Sequence, residues 1–322
     1  MKVSVITPVY KVSAFIERCA EALLRQTFGD IEFIFVDDAS PDDSRTKLEA
    51  VIARYPGRNV RILSHERNLG LPSARKTGVE AATGDYIYNC DADDWPEETL
   101  VEKMYGAAVR NDADLVYCDF YLSFGQSERY MRNPVYSTPD EMLRKGFLAG
   151  RCKWNVWNKL IRRSLYEGVE FPVEHRKGGE DMIMIGMLAR AKRIAYVGEA
   201  LYHYAKTNAG AISEGFSEQR LIDIRYNADS AIAALSGYPS DLTAEIAFFK
   251  QNIKLPFLLS DDSRKYRLWS EWYPEANAFI WKNPELPFRT KMLEWMASKG
   301  FWWYVRLYYR LVYKMIYGKI YK

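Results

Sequence analysis

Hydrophobic and polar positions alternate in blocks along the first part of the chain. Short apolar, β-branched runs occupy residues 3–7, 31–38, 59–65, 85–94 and 113–122, and each run predicts a strand. Between these runs, apolar residues recur every three or four positions, which predicts amphipathic helices. This alternation predicts an α/β fold, a mostly parallel sheet covered by helices on both faces.

The pattern weakens beyond residue 120. Residues 154–165 are aromatic and basic, and residues 180–191 have the period of an amphipathic helix with two acids at its start. Residues 216–300 have helical periodicity, interrupted by several prolines that predict short helices. The sequence therefore predicts a helical region after the sheet.

Acidic side chains follow the predicted strands at several points. Carboxyl ends of parallel strands meet at one edge of a sheet, where ligands of such folds bind. Gathering carboxylates there costs desolvation and repulsion, so the edge is expected to hold a cation. The acids concerned are Asp37, Asp38, Asp91, Asp93, Asp94 and Asp119.

The D-x-D-D sequence at residues 91–94 does not match other acidic motifs. A calcium loop would need a liganding side chain at Trp95 and a glycine at Pro96. Phosphatases of the haloacid type carry their acids after the first strand, and no glycine-rich dinucleotide or P-loop motif is present. These exclusions leave a hard divalent cation held by one or two carboxylates together with ligand phosphates.

Composition and charge narrow the class of protein. The 322 residues are 48% hydrophobic and 27% charged, as in an ordinary globular protein. Residues 301–322 hold five Lys/Arg and no acid, so the other residues carry 40 basic and 42 acidic side chains, and the net charge of +3 belongs to the tail. The body is therefore not expected to bind nucleic acid.

Four scattered cysteines, an N-terminus without a signal-peptide pattern and the lack of a membrane-length apolar run predict a cytoplasmic protein with reduced thiols.

Several motifs in order resemble the family 2 glycosyltransferases, which have the GT-A fold. They are "VSVITPVY", "VDDASPDDS", "ERNLGLPSARKTGVEAATGDYIYNCDADDW" and "GGED", within residues 1–215. "VWNKLIRRSL" and "GGEDMIMIGMLARAKRIAYVGEALYHY" are similar to the bacterial branch that assembles cell-surface polysaccharides. The resemblance implies inverting, Mn²⁺- or Mg²⁺-dependent transfer from a nucleotide sugar, with a UDP-sugar as the expected donor. The implied acceptor is a hydroxyl of a glycan or lipid-linked saccharide.

The resemblance implies a donor site built by residues from the first half of the chain. The implied nucleotide-binding residues are Thr7, Pro8, Tyr10, Asp38, Arg75 and Asp91. Asp93, with Asp91, would bind the metal, and the choice among Asp91, Asp93 and Asp94 stays open. Each also has a structural alternative, such as a strand end, a helix cap or a surface arginine.

Two positions depart from the family pattern: Ala39 stands where glycine is common, and Lys76 where asparagine is common.

The implied catalytic base is Asp181, with Glu180 beside it. Such a carboxylate would take the proton of the incoming hydroxyl as the new bond forms. The predicted helix start would lower the pKa of this carboxyl and slightly weaken the base. Ordinary capping of the helix by acids is the alternative.

Further residues are weaker candidates. His203 and Lys206 are candidate contacts to the diphosphate or the metal, although a histidine between tyrosines is more often structural. An acceptor groove or the core could be formed by Trp154, Trp157, Asn158 and Lys159.

The C-terminal tail combines nine aromatic and five basic residues in 22 positions. Arg306, Arg310 and Lys314 recur every four residues on an otherwise apolar and aromatic helix. This pattern predicts a tail that lies in the membrane interface, with the enzyme peripheral on the inner face of the cell membrane. Packing on the body or on a partner subunit is the alternative.

The sequence thus predicts four regions. Residues 1–120 form the nucleotide-sugar half, 121–215 the acceptor-side half with the base, 216–300 a helical C-terminal region, and 301–322 the basic aromatic tail. Two alternative functions are a nucleotidyltransferase, which would carry a glycine-rich loop near the N-terminus that is absent here, and a non-catalytic nucleotide-sugar-binding scaffold.

Overall fold

The computed structural model describes residues 1–175, 178–208 and 217–312. Its first part alternates strands and helices as the periodicity predicts. The elements are β1 (Val3–Val9), α1 (Ile16–Leu24), β2 (Ile31–Asp37), α2 (Ser44–Ile52), β3 (Asn59–Ser64), α3 (Leu71–Ala81), β4 (Tyr86–Asn89), β5 (Trp95–Pro96), α4 (Leu100–Asn111) and β6 (Leu115–Ser123).

Further along, strands and short helices are mixed. They are β7 (Glu128–Met131), α5 (Pro139–Glu141), a π-helical turn (Met142–Leu148), β8 (Lys159–Arg162), 3₁₀ turns at Arg163–Tyr166 and Glu180–Met182, α6 (Ile183–Arg190) and β9 (Ile194–Ala205). Helices follow: α7 (Glu218–Ala233), α8 (Thr243–Lys254), 3₁₀ turns at Leu255–Leu258 and Pro274–Lys282, α9 (Ser263–Glu271), α10 (Phe288–Ser298) and α11 (Trp302–Tyr308).

The nine strands of the described residues form one sheet. Its order is β3-β2-β1-β4-β8-β6-β9-β5, with β7 added beside β6. The prediction of a parallel sheet holds for β3-β2-β1-β4, whereas the rest is mixed. β8 runs antiparallel to both β4 and β6, so β6 and the parallel β9 point the same way as β1–β4.

Burial on both faces explains the apolar strands at the centre of the sheet. All seven residues of β2 are buried, as expected where helices cover both faces of a parallel strand. α3 approaches β1 so closely that a Cβ at Gly78 would lie 2.3 Å from Cγ2 of Ile6. Glycine at this position therefore lets α3 lie against β1, at the edge where the acids gather.

The chain divides into two compact units. The first comprises Met1–Asp140 and Trp154–Leu235 and contains the whole sheet. The second comprises Glu141–Lys153 and the residues from Ser236 onward, and is helical where it is described. The functional boundaries predicted at residues 120, 215 and 300 stay predictions, because the division into units describes packing and not roles.

No helix within the described residues combines the length and hydropathy needed to cross a bilayer. The predicted amphipathic tail is described only to residue 312, so Lys314 and residues 313–322 lie outside the described residues.

Candidate functional site

Asp38 lies at the end of β2 and organises the chain that leads into α3. Its carboxylate accepts hydrogen bonds from Nδ2 of Asn68 at 2.9 Å and from the backbone NH groups of Leu69 and Gly70, both at 2.8 Å. Nδ1 of His65 lies 2.7 Å from the same carboxylate. Asp38 thus fixes the start of α3, and its predicted role in nucleotide binding stays a prediction.

Arg75 on α3 joins two acids that are far apart in sequence. Its Nη2 donates to Oδ1 of Asp91 at 2.9 Å, and its Nη1 donates to Oδ1 of Asp181. The arginine is only 5% exposed, and its Nε has no hydrogen-bond partner among the described residues. The predicted donor-side acid and the predicted base therefore face one guanidinium group.

The three acids of the D-x-D-D sequence have different surroundings. Asp94 is fully buried, and its carboxylate accepts from the hydroxyl of Tyr202 at 2.6 Å and from the NH of Ala205 at 2.7 Å. Burial, together with the negative charges of Asp93 and Asp91, raises the pKa of Asp94 to about 9. Asp94 therefore ties β9 to the sheet, which leaves Asp91 and Asp93 as the candidate metal ligands.

Asp93 is held from two directions. Nδ2 of Asn208 donates to its Oδ2 at 2.8 Å, and Nη2 of Arg18 donates to its backbone carbonyl at 3.2 Å. The Arg18 guanidinium also lies 3.5 Å from the ring centroid of Trp95. Burial and the negative charge of Asp91 raise the pKa of Asp93. A cation bound here would relieve that repulsion.

Glu180 and Asp181 lie in a 3₁₀ turn (Glu180–Met182) that precedes α6, and not in the first turn of α6 itself. Burial, together with the charge of Asp181, raises the pKa of Glu180 to about 7. Burial also raises the pKa of Asp181, although the charge of Arg75 acts in the opposite direction. The prediction of a lowered pKa for Asp181 is wrong, because desolvation is the largest effect on this carboxyl and acts upward.

The other predicted nucleotide-binding residues lie at the end of β1. Thr7 is buried, Pro8 is half-buried and Tyr10 is 38% exposed. Oγ1 of Thr7 has no hydrogen-bond partner among the described residues. Their predicted contact with the nucleoside stays a prediction.

His203 on β9 has structural partners. Its Nε2 lies 2.8 Å from Glu97 and its Nδ1 lies 2.7 Å from Glu128, and its ring stacks between Trp95 and Tyr121. Both ring nitrogens thus have partners that link β9 to β5 and β7, and the predicted contact of His203 with the metal or the diphosphate stays a prediction.

Lys206 is exposed, and its Nζ lies 4.5 Å from the ring centroid of Tyr204. No contact links it to the acids within the described residues, and its predicted role stays a prediction.

The candidate acceptor-groove residues are mostly core. Trp157 is 8% exposed and stacks on Tyr202 and Tyr204 at 4.6 and 5.4 Å. Asn158 and Lys159 are buried, and Nζ of Lys159 donates to Oδ1 of Asn158 at 2.8 Å. These contacts favour the core alternative for Trp157, Asn158 and Lys159, Trp154 is half-buried, and the acceptor-groove role stays a prediction.

Asp119 is also structural. Its carboxylate accepts from the hydroxyls of Tyr130 and Tyr196 at 2.6 and 2.8 Å and from the NH of Asn133 at 2.6 Å. The expectation that Asp119 joins the other acids is therefore wrong, because these three donors hold its carboxylate within β6, β7 and β9.

Sequence patterns did not identify several residues that shape the site. His65, Asn68, Asn208 and Tyr202 hold acids in place, yet each is a single polar residue whose acidic partner lies at least 27 residues away in the sequence. The motif "ERNLG" contains Asn68, the segment ending "EALYHY" contains Tyr202, and His65 ends the predicted strand at 59–65, but none of these signals indicates a contact with an acid.

Comparison with known proteins identifies the family. The model of glycosyl transferase family 2 matches residues 4–184, more than half of the chain. The chain belongs to glycosyl transferase family 2. This confirms the resemblance carried by the motifs from "VSVITPVY" to "GGED".

Relatives of this family 2 chain include an uncharacterized glycosyltransferase and a teichoic acid biosynthesis protein. EpsJ of Bacillus subtilis (strain 168), an uncharacterized glycosyltransferase, is 35% identical over 222 residues, covering 66% of this chain and 63% of EpsJ. GgaB of the same organism, a minor teichoic acid biosynthesis protein, is 27% identical over 216 residues, covering 65% of this chain and 23% of GgaB. The chain thus matches less than two thirds of the length of either protein.

A solved structure confirms the predicted GT-A fold with a helical C-terminal region. The crystal structure of residues 1–349 of TarS from S. aureus in complex with UDP-GlcNAc has a TM-score of 0.73 and 19% sequence identity. The superposition covers 96% of this chain and 92% of the TarS chain.

Proposed function

We propose that this chain transfers a sugar from a nucleotide sugar to a hydroxyl of a glycan or lipid-linked saccharide during synthesis of a cell-surface polysaccharide. Family membership and the named relatives support this activity. The TarS structure that shares the fold contains UDP-GlcNAc, which favours a UDP-sugar as donor.

The observation that carries the proposal is the position of Arg75 between Asp91 and Asp181. One buried guanidinium brings the acid at the end of the donor-side strand next to the acid proposed as base. A reaction between a nucleotide sugar and an acceptor hydroxyl needs these two functions at one place. Ordinary helix capping by Asp181 does not require such an arrangement.

In the proposed reaction, Asp181 accepts the proton of the acceptor hydroxyl while the oxygen attacks the anomeric carbon from the face opposite the nucleotide. The C–O bond to the diphosphate breaks as the new bond forms, so the anomeric configuration inverts. The raised pKa of Asp181 makes it a better base once it is ionised. Arg75 holds the carboxylate in place, and its charge keeps enough of it ionised.

The residues present fit a divalent cation, and we propose that Asp91 and Asp93 hold it. No group of three or more His, Cys, Asp and Glu side chains in the described part of the chain is arranged to hold a metal alone. Two carboxylates completed by ligand phosphates are a usual arrangement for Mg²⁺ or Mn²⁺. When bound, such an ion would neutralise charge on the leaving diphosphate.

Release of nucleoside diphosphate tests the proposed activity directly. A panel of sugar nucleotides with Mn²⁺ should first identify a donor that raises the melting temperature, because a ligand that binds the folded state stabilises it. UDP release from that donor should then depend on an added saccharide acceptor. Donor binding without release across a broad set of acceptors would favour the non-catalytic scaffold.

We also propose that the tail attaches the enzyme to a membrane surface. In the described part of the tail, one face of α11 packs inward: Val305 is buried, and the Trp302 ring lies 5.2 Å from that of Tyr266. The other face leaves Trp303 62% and Leu307 46% exposed. One face of α11 thus suits packing on the protein body, and the opposite face suits binding to a membrane.

Charge complementarity favours an anionic lipid surface as the partner of the exposed face of α11. Leu311 continues the exposed apolar series at 50% exposure, and Arg306 and Arg310 are exposed beside it. Aromatic and aliphatic side chains interleaved with cations suit the headgroup region of anionic lipids.

Vesicle binding tests the attachment. The full chain should co-sediment with phosphatidylglycerol vesicles and much less with phosphatidylcholine vesicles, whereas a chain lacking residues 301–322 should stay in the supernatant. Replacing Trp303, Leu307 and Leu311 by serine, which leaves Val305 packed, should give the same loss. Equal co-sedimentation of these variants and the full chain would refute the attachment.

A further inference from the structure

A polar stripe on α7 lies against the chain that leads into Glu180 and Asp181. Gln219, Asp223 and Asn227 are four residues apart, so they share one face of the helix. Asp223 is 1% exposed and Asn227 is 4% exposed. Polar side chains buried to this extent have partners, and those partners indicate what the stripe does.

Asn227 binds the backbone just before the acidic pair. Its Nδ2 donates to the carbonyl oxygen of Gly178 at 2.7 Å and to that of His175 at 3.1 Å. One side-chain amide thus holds the backbone at two points upstream of Asp181.

The rest of the stripe holds His175 itself. Oδ1 of Asp223 lies 3.2 Å from Nδ1 of His175 and accepts from Nε2 of Gln219 at 2.8 Å. The His175 ring also stacks on Tyr226, with centroids 3.6 Å apart. Contacts with α7 therefore set the position of His175. They also fix its carbonyl group, which is one of the two that Asn227 binds.

The turn that follows needs such support. Gly179 has φ +79°, a left-handed conformation, and leads directly into the 3₁₀ turn at Glu180–Met182. Because glycine adopts many backbone conformations at similar energy, its own preference does not fix this one.

Packing holds the turn only in part. A cavity of about 350 Å³ lies on one side of it, lined by Gly179, Met182 and Gly186 from the turn and α6 and by Ala231 and Ala234 from α7. Empty space contributes no packing contacts, so the hydrogen bonds from Asn227 restrain this side of the turn.

We propose that Asn227 is a positioning residue that, through Gly178, holds the turn carrying Asp181 against Arg75, an inference that rests on the proposed role of Asp181 as base. Asn227 lies beyond residues 4–184, the part matched by the family model. Placement of the base would then depend on a helix that the family match does not include.

The main test replaces Asn227 with leucine, which keeps most of the side-chain volume and removes the amide NH₂ that donates the hydrogen bonds. We expect kcat to fall about 10- to 100-fold with the donor KM within about twofold of the parent, because small misplacements of a reacting group have effects of this size. Asn227→Gln keeps the amide and should recover part of the lost kcat. Asp229→Ala, on the exposed face of the same helix, is the matched control and should leave both constants unchanged.

Hydrogen exchange gives a readout that does not depend on turnover. The NH of Met182 donates to the carbonyl of Gly179 at 3.0 Å within the turn. Its protection should fall in Asn227→Leu and stay at the parent level in Asp229→Ala. If Asn227→Leu does not fold, the same two measurements on Asn227→Gln decide the matter, with intermediate losses expected.

Unchanged kcat together with unchanged Met182 protection would overturn the inference, as would a rise in donor KM at constant kcat. Failure of the proposed function gives a different result. Asp181→Asn would then keep normal turnover, while Asn227→Leu would still expose the Met182 amide.

Discussion

Asp91 and Asp181 face the same guanidinium, yet the two parts of the chain that supply them are built in different ways. Asp91 follows β4 in a region where strands and helices alternate regularly, so backbone topology alone brings it to the edge of the sheet. Asp181 lies in a short 3₁₀ turn after a left-handed glycine, and contacts with α3 and α7 hold that region. Sheet topology determines the donor side, whereas individual side-chain contacts determine the base side.

The largest effect should come from the base side. Asp181→Asn keeps the shape of the side chain and removes its ability to accept a proton, so we expect transfer to fall about 10³-fold or more. Donor binding, measured as a thermal shift with the sugar nucleotide and Mn²⁺, should stay close to that of the parent. Near-normal turnover in this variant would remove Asp181 from the role of base.

On the donor side, two adjacent acids should separate into one functional and one structural residue. Asp93→Ala should lower activity about 10²-fold and weaken its response to Mn²⁺, with little change in stability, because Asp93 is a proposed metal ligand.

Asp94→Ala should instead lower the free energy of unfolding by about 2–4 kcal/mol, because it leaves a cavity and unpaired donors at Tyr202 and Ala205. Urea unfolding and Mn²⁺ titration of activity measure the two effects. A weaker Mn²⁺ response in Asp94→Ala, with stability intact, would reverse the assignment.

These two acids show how far the sequence can predict the site. Strand-end position and motif select Asp91, Arg75 and Asp181, and hydrogen bonds join these three in the structure, whereas their roles stay predictions. Neither signal distinguishes Asp94, because its partner Tyr202 lies 108 residues further along the chain. Pairings over such distances leave no local pattern.

The same limit applies to the fold. The regular alternation predicted β1 to β4 with their helices, whereas β8 was not predicted, since "KLIR" is short and half basic. Its insertion between β4 and β6 makes that half of the sheet mixed. Residue type alone makes Trp157, Asn158 and His203 candidates for the site or for the core, and each has contacts within the sheet region.

The loss of activity at low pH should depend on the ionisation of Glu180 and Asp181. Asp181 must be ionised to accept a proton, so activity should fall as pH decreases through its pKa, which burial raises above the usual value of an aspartate. Glu180→Gln removes a neighbouring negative charge and makes Asp181 easier to ionise. The fall in kcat/KM should then move to lower pH by about 1 unit, and a move to higher pH would contradict this coupling.

The smallest effect concerns Ala39, on the donor side. Its φ of +53° is left-handed, which explains physically why glycine is common at this position in the family. Ala39→Gly should raise the free energy of unfolding by about 0.5 kcal/mol, because relief of the backbone strain exceeds the entropy cost of glycine. Ala22→Gly, inside α1, is the matched control and should lower it by about 1 kcal/mol. Urea unfolding of both variants checks the opposite signs.

The pairing of β5 with β9 has a consequence for synthesis of the protein. Trp95 lies opposite His203, and Asp94 obtains its hydrogen-bond donors from Tyr202 and Ala205. On the ribosome, the segment carrying the first acids emerges about a hundred residues before these partners do. The nascent chain therefore completes its donor site only after β9 has left the exit tunnel, so a fragment ending near residue 120 is not expected to bind nucleotide as an independent module.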